Sequence, residues 1–346
     1  MTTQVAFLFP GQGSQAVGMG ADIFESSPAA RNVFETVDAA LGFSLSDLCF
    51  NGPDDTLRAT INAQPAIVTV SLALLASLQA ALSPNSSDWS TPLVPAFTAG
   101  HSVGEYTALV ASGALDLQSA VTLVRERGRL MHHEGTVCAG GMAAVIGSDE
   151  ATLTSICQEA SAQASKNVAS ETARNRHPGL GQVSVANFNA PGQIVISGEQ
   201  SALEIAMEMA KSRGAKRVLP LSVSGAFHSP VMQPAAAGLA QALANTTIHQ
   251  STIPVIGNIH AQPLVGAEEI RSELAEQVAS SVQWIKTIEY LTQAGVTTFI
   301  EIGPGQALSG MVKRISKGAK IMNISTAAEV EQVAQSIREM GLLREV

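Results

Sequence analysis

Ser102 is the residue best placed for covalent chemistry, because it lies at the centre of the sequence GHSVG at 100–104. In a G-x-S-x-G elbow a strand turns sharply into a helix and exposes the serine hydroxyl, and glycines on either side permit the close backbone contacts of that turn. A strand-like run at 94–100 and a helical pattern at 102–111 surround it. The backbone N–H of Val103 would then face a developing oxyanion. The alternative is a serine that only caps the helix.

A serine nucleophile needs a general base, and the chain has seven histidines. His228 lies beside Gly225 and follows a predicted strand over 216–223, at the kind of strand end where α/β active sites collect. We predict that His228 is the base, with a capping role as the alternative. The other histidines lie in the elbow, at a helix end, in a polar loop and at two polar turns: His101, His132, His133, His177, His249 and His260.

An aspartate that could orient the base is missing. The only aspartates between Ser102 and His228 are Asp116 and Asp149, and none follows Asp149. Both precede helical patterns, a position typical of N-caps. The sequence therefore predicts a Ser–His dyad whose imidazole is oriented by a backbone carbonyl.

Arg127 is the second residue with an unusual position. Leu117, Val121, Val124, Arg127 and Met131 repeat with helical spacing, so the arginine falls on the apolar face of the helix. A guanidinium on a buried face needs an anion or several acceptors. A structural salt bridge and a bidentate site for a substrate carboxylate both satisfy that need.

A glycine-rich loop follows the first predicted strand. GQGSQA at 11–16 fits a dinucleotide-binding pattern. Pro10 at the turn argues against that interpretation, and so does the lack of an acidic residue at the end of a following strand. The loop can instead present the backbone N–H of Gln12 as a second oxyanion donor.

The predicted elements indicate an α/β fold in which a central, mostly parallel sheet carries these residues in a hydrolase-like domain. Residues 138–216 follow the order βαββαβ, which predicts a small inserted ferredoxin-like subdomain. The large domain then comprises 1–137 and 217–346. Polar segments at 83–92 and 164–181 are predicted loops.

Composition narrows the function classes. The net charge of −9 disfavours nucleic-acid binding. Three scattered cysteines lack metal-ligand spacing and favour a reducing, cytoplasmic location. The N-terminus shows no signal-peptide pattern, and the apolar run Pro65–Leu82 is interpreted as a buried amphipathic helix rather than a membrane span.

Several motifs, in one order, resemble those of the malonyl-CoA:acyl carrier protein transacylases, which include free-standing acyltransferases of fatty acid and polyketide synthesis. They extend over nearly the whole chain: FPGQGSQ (9–15), NAQPA (62–66), GHSVGEYTALVASGAL (100–115), RERGRLM (125–131), NFNAPGQIVISG (187–198), GAFHS (225–229), VQW (282–284) and EIGPGQALSG (301–310).

The resemblance implies a role for each matching residue. Ser102 would be acylated, His228 would be the base, and Arg127 would bind the malonyl carboxylate. The oxyanion donors and the carbonyl that orients the base would come from the backbones of Gln12, Val103 and Gln277. Phe227 is similar to that of members selective for malonyl over methylmalonyl units. The remaining substrate-binding positions would be Met131, Gln64 and Asn187.

The resemblance also implies ping-pong transfer from malonyl-CoA to the phosphopantetheine thiol of an acyl carrier protein, without a metal or nucleotide cofactor. The sequence leaves the oligomeric state open, and we expect a monomer. Carrier proteins of this kind are acidic, so the basic clusters at 211–217 and 312–320 are candidate docking surfaces. A serine hydrolase or thioesterase with the same dyad is the first alternative. A non-catalytic module that binds carrier protein is the second.

Overall fold

The structure is a computed structural model that describes residues 4–83, 93–167 and 177–343. Residues 84–92 and 168–176, which belong to the two polar segments predicted as loops, lie outside the described residues. The strands are β1 (Gln4–Phe9), β2 (Phe97–Gly100), β3 (Gly140–Ile146), β4 (Val183–Ala190), β5 (Gln193–Glu199), β6 (Arg217–Pro220), β7 (Val255–Ile256), β8 (Pro263–Leu264), β9 (Val296–Ile302) and β10 (Lys320–Ile324).

The helices of the described residues are α1 (Ala21–Ser26), α2 (Pro28–Leu41), α3 (Leu45–Asn51), α4 (Asp54–Arg58), α5 (Thr60–Leu82), α6 (Gly104–Ala111), α7 (Leu117–Val137), α8 (Glu150–Asn167), α9 (Gln200–Ser212), α10 (Gln233–Ala244), α11 (Ala267–Glu276), α12 (Trp284–Gln293), α13 (Ala307–Ile315) and α14 (Ala327–Glu339). Short 3₁₀ turns at Pro230–Met232 and Gln277–Ala279 complete the regular elements.

The larger sheet has the strand order β10-β9-β1-β2-β7-β8 and is parallel except for the β7–β8 pair. This confirms the predicted central, mostly parallel sheet. Its inner strand β1 is almost wholly buried, as expected of a strand covered on both faces. Phe9 pairs with Gly100, so the loops that follow β1 and β2 leave the same edge of the sheet side by side.

The smaller sheet has the order β4-β5-β3-β6 and all of its pairs are antiparallel. With α8 and α9 this gives the predicted βαββαβ sequence of elements. The strand β6 begins at Arg217 and pairs with β3, so the small sheet extends beyond the predicted limit at 216 as far as Pro220. The helix α8 continues to Asn167, which shortens the polar segment predicted to start at 164.

The helix α5 is the centre of the helical layer, and α2, α7 and α14 pack against it. Nearly all of its residues are buried, which confirms the predicted buried helix. The helix is not amphipathic, because other helices cover most of its surface and leave no exposed polar face. Among the described helices it alone has the length and apolar content of a membrane span, and 83% of its most apolar window is buried inside the fold.

Candidate active site

The corner that carries Ser102 is as tight as its glycines imply. Ser102 has φ 52°, a left-handed conformation that is uncommon outside glycine and marks local strain. A Cβ on Gly100 would lie 2.0 Å from the Gly104 carbonyl, and one on Gly104 would lie 2.2 Å from the Phe9 carbonyl oxygen. Both neighbours must therefore be glycine for β2 to turn directly into α6.

His228 contacts Ser102, although 126 positions separate the two residues in the sequence. The distance between Ser102 Oγ and His228 Nε2 is 2.7 Å. His228 Nδ1 lies 2.9 Å from the carbonyl oxygen of Gln277 and 3.0 Å from that of Ser280. Carbonyls can only accept, so Nδ1 carries the proton and Nε2 accepts from the serine hydroxyl. The base is thus oriented by backbone carbonyls where other serine enzymes use an aspartate.

The surroundings keep His228 neutral. Burial, with the nearby positive charge of Arg127, lowers the pKa of His228 from 6.5 to about 3, although the carbonyls of Gln277 and Ser280 act in the opposite direction. A neutral imidazole is the form that can take a proton from Ser102. The histidine is therefore available as a base over the whole physiological pH range.

Arg127 lies inside this group, with 1% of its surface exposed. Its Nη1 donates to Gln64 Oε1 at 2.6 Å. Its Nη2 donates to Gln277 Oε1 at 2.9 Å and to Ser102 Oγ at 3.1 Å. Its Nε has no partner among the described residues. No acidic side chain forms a salt bridge with it within the described part of the chain, so the structural-salt-bridge alternative is not what the fold provides.

Gln277 joins all the members of the site. Its carbonyl binds His228, and its side-chain Oε1 accepts from Arg127. Its Nε2 donates to the carbonyl oxygen of Ser102 at 3.0 Å and also to the carboxylate of Glu105. The sequence suggested only the carbonyl of this residue, whereas the structure gives its side chain three further contacts.

Asn258, which no sequence pattern marked, holds the serine corner from behind. Its Oδ1 accepts from the backbone N–H of Ser102 at 2.7 Å, and its Nδ2 donates to the carbonyl oxygen of Gly100 at 2.7 Å. The strand β7 pairs with β2 and ends two residues earlier, at Ile256. The Asn258 amide thus continues that pairing past the point where β2 turns away.

Two buried carboxyl groups lie behind Asn258. Glu105 Oε1 accepts from the backbone N–H of Asn258 at 3.2 Å, and Glu273 Oε1 accepts from that of Ile259 at 2.8 Å. Burial and the charge of Glu273 raise the pKa of the Glu105 carboxyl well above its usual range, while hydrogen bonds from Gln277 and Asn258 oppose that rise.

The two predicted oxyanion donors are the backbone N–H groups of Val103 and Gln12, which lie in the segments after two adjacent strands. Val103 is the residue directly before α6, and Gln12 lies in the loop after β1, next to the end of β2. Within the described residues, no backbone carbonyl or side chain accepts from the N–H of either residue. The Gln12 side chain binds Thr60 Oγ1 at 3.1 Å, which fixes the loop. Both N–H groups therefore have no acceptor within the described residues.

Of the other predicted substrate-binding residues, Gln64 contacts Arg127 and Met131 contacts Gln64. Gln64 is fully buried in α5, and besides accepting from Arg127 it donates to Met131 Sδ at 3.3 Å. Phe227 is 4% exposed, and a Cβ on Gly225 would lie 3.1 Å from its ring and 3.7 Å from the Met131 carbonyl oxygen. Phe227 is therefore close to Met131 on α7, four residues after Arg127.

Asn187 is not joined to this group. It lies in a bulged part of β4, forms a bridge with Val282, and makes no side-chain hydrogen bond to the site within the described residues. Its neighbour Asn189 does reach the corner, because His101 Nε2 lies 2.8 Å from Asn189 Oδ1. His101 therefore points away from Ser102 and towards the small sheet, with Trp284 against its ring.

The remaining predicted features lie elsewhere. Asp116 and Asp149 cap α7 and α8 by accepting from Ser119 and Thr152. His132 and His133 lie within α7, which continues to Val137 and so does not end at 133 as predicted. Among the described residues no group of His, Cys, Asp and Glu could hold a metal ion.

Other residues of the protein already bind part of each basic cluster. In the first cluster, Lys211 pairs with Glu208 and Arg213 with Glu159. In the second, the guanidinium of Arg314 donates to Gln193 Oε1 at 2.5 Å and to the Pro191 carbonyl at 2.6 Å. It thus ties α13 to the β4–β5 turn. Exposed lysines of the second cluster that form no salt bridge within the described chain include Lys313 and Lys317.

Known proteins share the fold and much of the sequence of this chain. Residues 6–340 match the family model of the acyl transferase domain. A malonyl CoA-acyl carrier protein transacylase from Bacillus subtilis is 41% identical over 337 residues, which cover 97% of this chain and 98% of that protein. The crystal structure of an acyl-carrier-protein-S-malonyltransferase from Bartonella henselae superposes with a TM-score of 0.86 at 40% identity, covering 98% of this chain and 100% of the other.

A third similar protein was solved with a partner. It is a malonyl-transacylase in complex with its type II PKS acyl-carrier protein, with a TM-score of 0.85 and 34% identity, covering 96% of this chain and 100% of that one. Each of these matches covers almost the full length of this chain and of the matched chain. The chain therefore belongs to the acyl transferase family, and within it to the malonyl CoA-acyl carrier protein transacylases.

Proposed function

We propose that this protein transfers the malonyl group of malonyl-CoA to the phosphopantetheine thiol of an acyl carrier protein, through an ester on Ser102. The observation that carries the proposal is the contact of one serine oxygen with both a neutral histidine and a buried arginine, at 2.7 and 3.1 Å. The first contact suits attack on a thioester, and the second suits an acyl group that ends in a carboxylate. The names of the relatives point to the same substrates.

In the first half-reaction Ser102 Oγ attacks the thioester carbonyl while its proton passes to His228 Nε2. The carbonyl oxygen becomes an oxyanion that the N–H groups of Val103 and Gln12 can stabilise. When the intermediate collapses, the carbon–sulfur bond breaks, and the coenzyme A sulfur takes the proton from His228. The malonyl group is then held as an ester on Ser102, and the imidazole is neutral again.

The second half-reaction repeats these steps with the carrier thiol. His228 takes the thiol proton, the sulfur attacks the malonyl ester, and the proton is returned to Ser102 Oγ as the carbon–oxygen bond breaks. This is ping-pong transfer. Neither half-reaction needs a metal ion or a nucleotide cofactor, because the dyad and two backbone donors supply every proton transfer and charge contact.

Arg127 gives the reaction its acyl specificity in this proposal. The Nε and Nη2 groups share one edge of the planar guanidinium, and Nη2 already reaches Ser102 Oγ while Nε has no partner among the described residues. A carboxylate on the acyl chain can bridge that edge with two charge-assisted hydrogen bonds. The buried ring of Phe227 would in this proposal disfavour an extra methyl on the malonyl α-carbon, an effect of about 1–3 kcal/mol.

The test compares transfer with hydrolysis. The protein is mixed with malonyl-CoA and holo acyl carrier protein, and malonyl-carrier and free malonate are both quantified. The proposal predicts that malonyl-carrier forms much faster than free malonate, and that Ser102→Ala abolishes its formation. Predominant release of malonate would favour a thioesterase. Binding of carrier protein with no turnover by the folded protein would favour a non-catalytic module.

A further inference from the structure

We infer that Glu105 is a positioning residue for this reaction, because its two carboxylate oxygens anchor the groups that fix the backbone on both sides of Ser102. Glu105 is fully buried and makes no hydrogen bond to Ser102 Oγ or to Arg127 within the described residues. Its contacts are Asn258, through Oε1, and Gln277, through Oε2. The inference rests on the proposed chemistry of Ser102.

The direction of each hydrogen bond follows from Arg127. A guanidinium can only donate, so the Gln277 oxygen must be the atom that faces Arg127 Nη2 at 2.9 Å. The Gln277 Nε2 must then face Glu105 and the Ser102 carbonyl, and it donates to both. The Asn258 backbone N–H donates to the other oxygen of Glu105. Both oxygens of Glu105 are therefore acceptors.

The Gln277 contact helps to set where the oxyanion donor points. The Ser102 carbonyl and the Val103 N–H belong to one planar trans peptide, so they point in opposite directions. Two donors hold the Ser102 carbonyl, the Gln277 Nε2 at 3.0 Å and the backbone N–H of Glu105 at 3.1 Å, and together they set the orientation of the Val103 N–H. Glu105 in turn holds Gln277 Nε2 in place.

The Asn258 contact fixes the preceding peptide. The Asn258 side chain bridges the Ser102 N–H and the Gly100 carbonyl, each at 2.7 Å, and thereby keeps Ser102 in its left-handed conformation. The backbone of Asn258 is held by Glu105 Oε1 at 3.2 Å. One carboxylate thus supports the peptides before and after the nucleophile.

A glutamine has the shape of Glu105 but cannot replace it. Its NH₂ group would face either the Asn258 backbone N–H, which cannot reverse, or the Nε2 of Gln277. If the Gln277 amide reversed to avoid that contact, its oxygen would face the Ser102 carbonyl and its NH₂ would face Arg127. Glu105→Gln therefore forces at least one donor–donor or acceptor–acceptor contact, and in each arrangement it displaces a peptide next to Ser102.

The control is the same substitution at Glu301. This carboxylate is also fully buried, and it accepts from two backbone N–H groups, those of Leu308 at 3.0 Å and Ser309 at 2.6 Å. It forms none of the hydrogen bonds around Ser102. Glu105→Gln and Glu301→Gln should therefore cost similar folding stability, while only the first changes the reaction centre.

The experiment measures kcat and KM of both variants with malonyl-CoA and with acetyl-CoA, together with their thermal unfolding. We expect Glu105→Gln to lower kcat by about 10–100-fold for both acyl groups with little change in KM, because the displaced oxyanion donor serves both. We expect the folded Glu301→Gln variant to keep kcat within about twofold of the parent chain.

Two results would overturn the inference: a folded Glu105→Gln variant with the kcat of the parent chain, or an equal loss of kcat in both variants. If Glu105→Gln does not fold, the comparison uses Glu105→Asp, which keeps the charge but shortens the reach by one methylene, and an unchanged kcat there has the same meaning. Failure of the parent chain itself to form an ester on Ser102 would refute the proposed function instead.

Discussion

The corner around Ser102 and the exposed basic clusters are both dense in polar groups, but the fold holds them very differently. At the corner, hydrogen bonds of 2.6–3.1 Å join Ser102, His228, Arg127, Gln64 and Gln277, and all but the serine are buried. In the clusters the cations make their contacts at the surface, such as that of Lys211 with Glu208, whose side chains are 50% and 72% exposed.

This difference determines how much each residue can matter. Loss of one partner from a buried, hydrogen-bonded charge leaves the other unsatisfied, at a cost of about 2–5 kcal/mol. An exposed ion pair contributes about 0–1 kcal/mol. Substitutions at the corner should therefore change rates by orders of magnitude, and substitutions in the clusters should change only the affinity for an acidic partner.

The largest of these effects is expected for Arg127→Ala. The variant loses the partner of the malonyl carboxylate, so kcat/KM with malonyl-CoA should fall about 10²-fold, whereas acetyl transfer should be spared or rise. Steady-state assays with the two thioesters measure this. The control is Arg129→Ala, on the same helix, which removes only an exposed pair with Glu126. An equal loss with both thioesters would remove Arg127 from the specificity site.

The next effect concerns pH. Because burial and Arg127 hold the pKa of His228 at about 3 in the folded chain, acylation of Ser102 should not decline through loss of the base until the pH is far below 6.5. In Arg127→Ala the repelling charge is gone, so the acidic decline in acylation by acetyl-CoA should move to higher pH. A pH profile of the acylation rate measures this, and an unchanged midpoint would contradict the electrostatic role of Arg127.

The same shift makes a prediction for stability. Between pH 6.5 and about 3 the unfolded chain binds a proton at His228 that the folded chain does not. The contribution of this residue to the free energy of unfolding should therefore be complete above pH 6.5 and decrease as the pH falls through that range. Urea unfolding of the protein and of His228→Gln at several pH values measures the contribution of His228 to the free energy of unfolding. If the free energy of unfolding has the same pH dependence in the two chains, the lowered pKa of His228 does not contribute to stability.

The smallest effect is expected at the second basic cluster. Arg314 already donates hydrogen bonds to Gln193 and Pro191. The residues of this cluster that we expect to bind the acidic carrier protein are therefore Lys313 and Lys317. The double substitution Lys313→Glu/Lys317→Glu should raise KM for the carrier protein about 3–10-fold at low salt, and less at high salt, with KM for malonyl-CoA unchanged. The control is Lys166→Glu in α8. An unchanged KM for carrier protein would exclude this cluster.

The sequence was informative where backbone geometry dictates residue type. The glycines at 100 and 104 mark a corner that no larger residue could form, and the lack of an aspartate after Asp149 anticipates a base held by carbonyls. The glycine spacing is a local signal, and the missing aspartate is an absence. A single sequence is enough to show either one. The fold class follows from the same alternation of strand and helix patterns.

The supporting residues could not be found in this way. Asn258 contacts residues more than 150 positions away, and nothing near it in the sequence differs from an ordinary turn. The bulges of β4 break the alternation of sides along the strand, so the pattern could not show that Asn189, and not Asn187, reaches the corner. Charge alone could not show that Arg314 is already engaged within the fold.

The most direct test of the Ser102 ester is mass spectrometry of the protein after rapid mixing with malonyl-CoA in the absence of carrier protein, followed by acid quench and peptide mapping. The expected result is one malonyl group on the peptide that contains Ser102, lost when holo carrier protein is added and absent from Ser102→Ala. Acetyl-CoA should label the parent chain more weakly and the Arg127→Ala variant at least as well. A malonyl group on another residue, or transfer to carrier protein by Ser102→Ala at the parent rate, would contradict the central role of this serine.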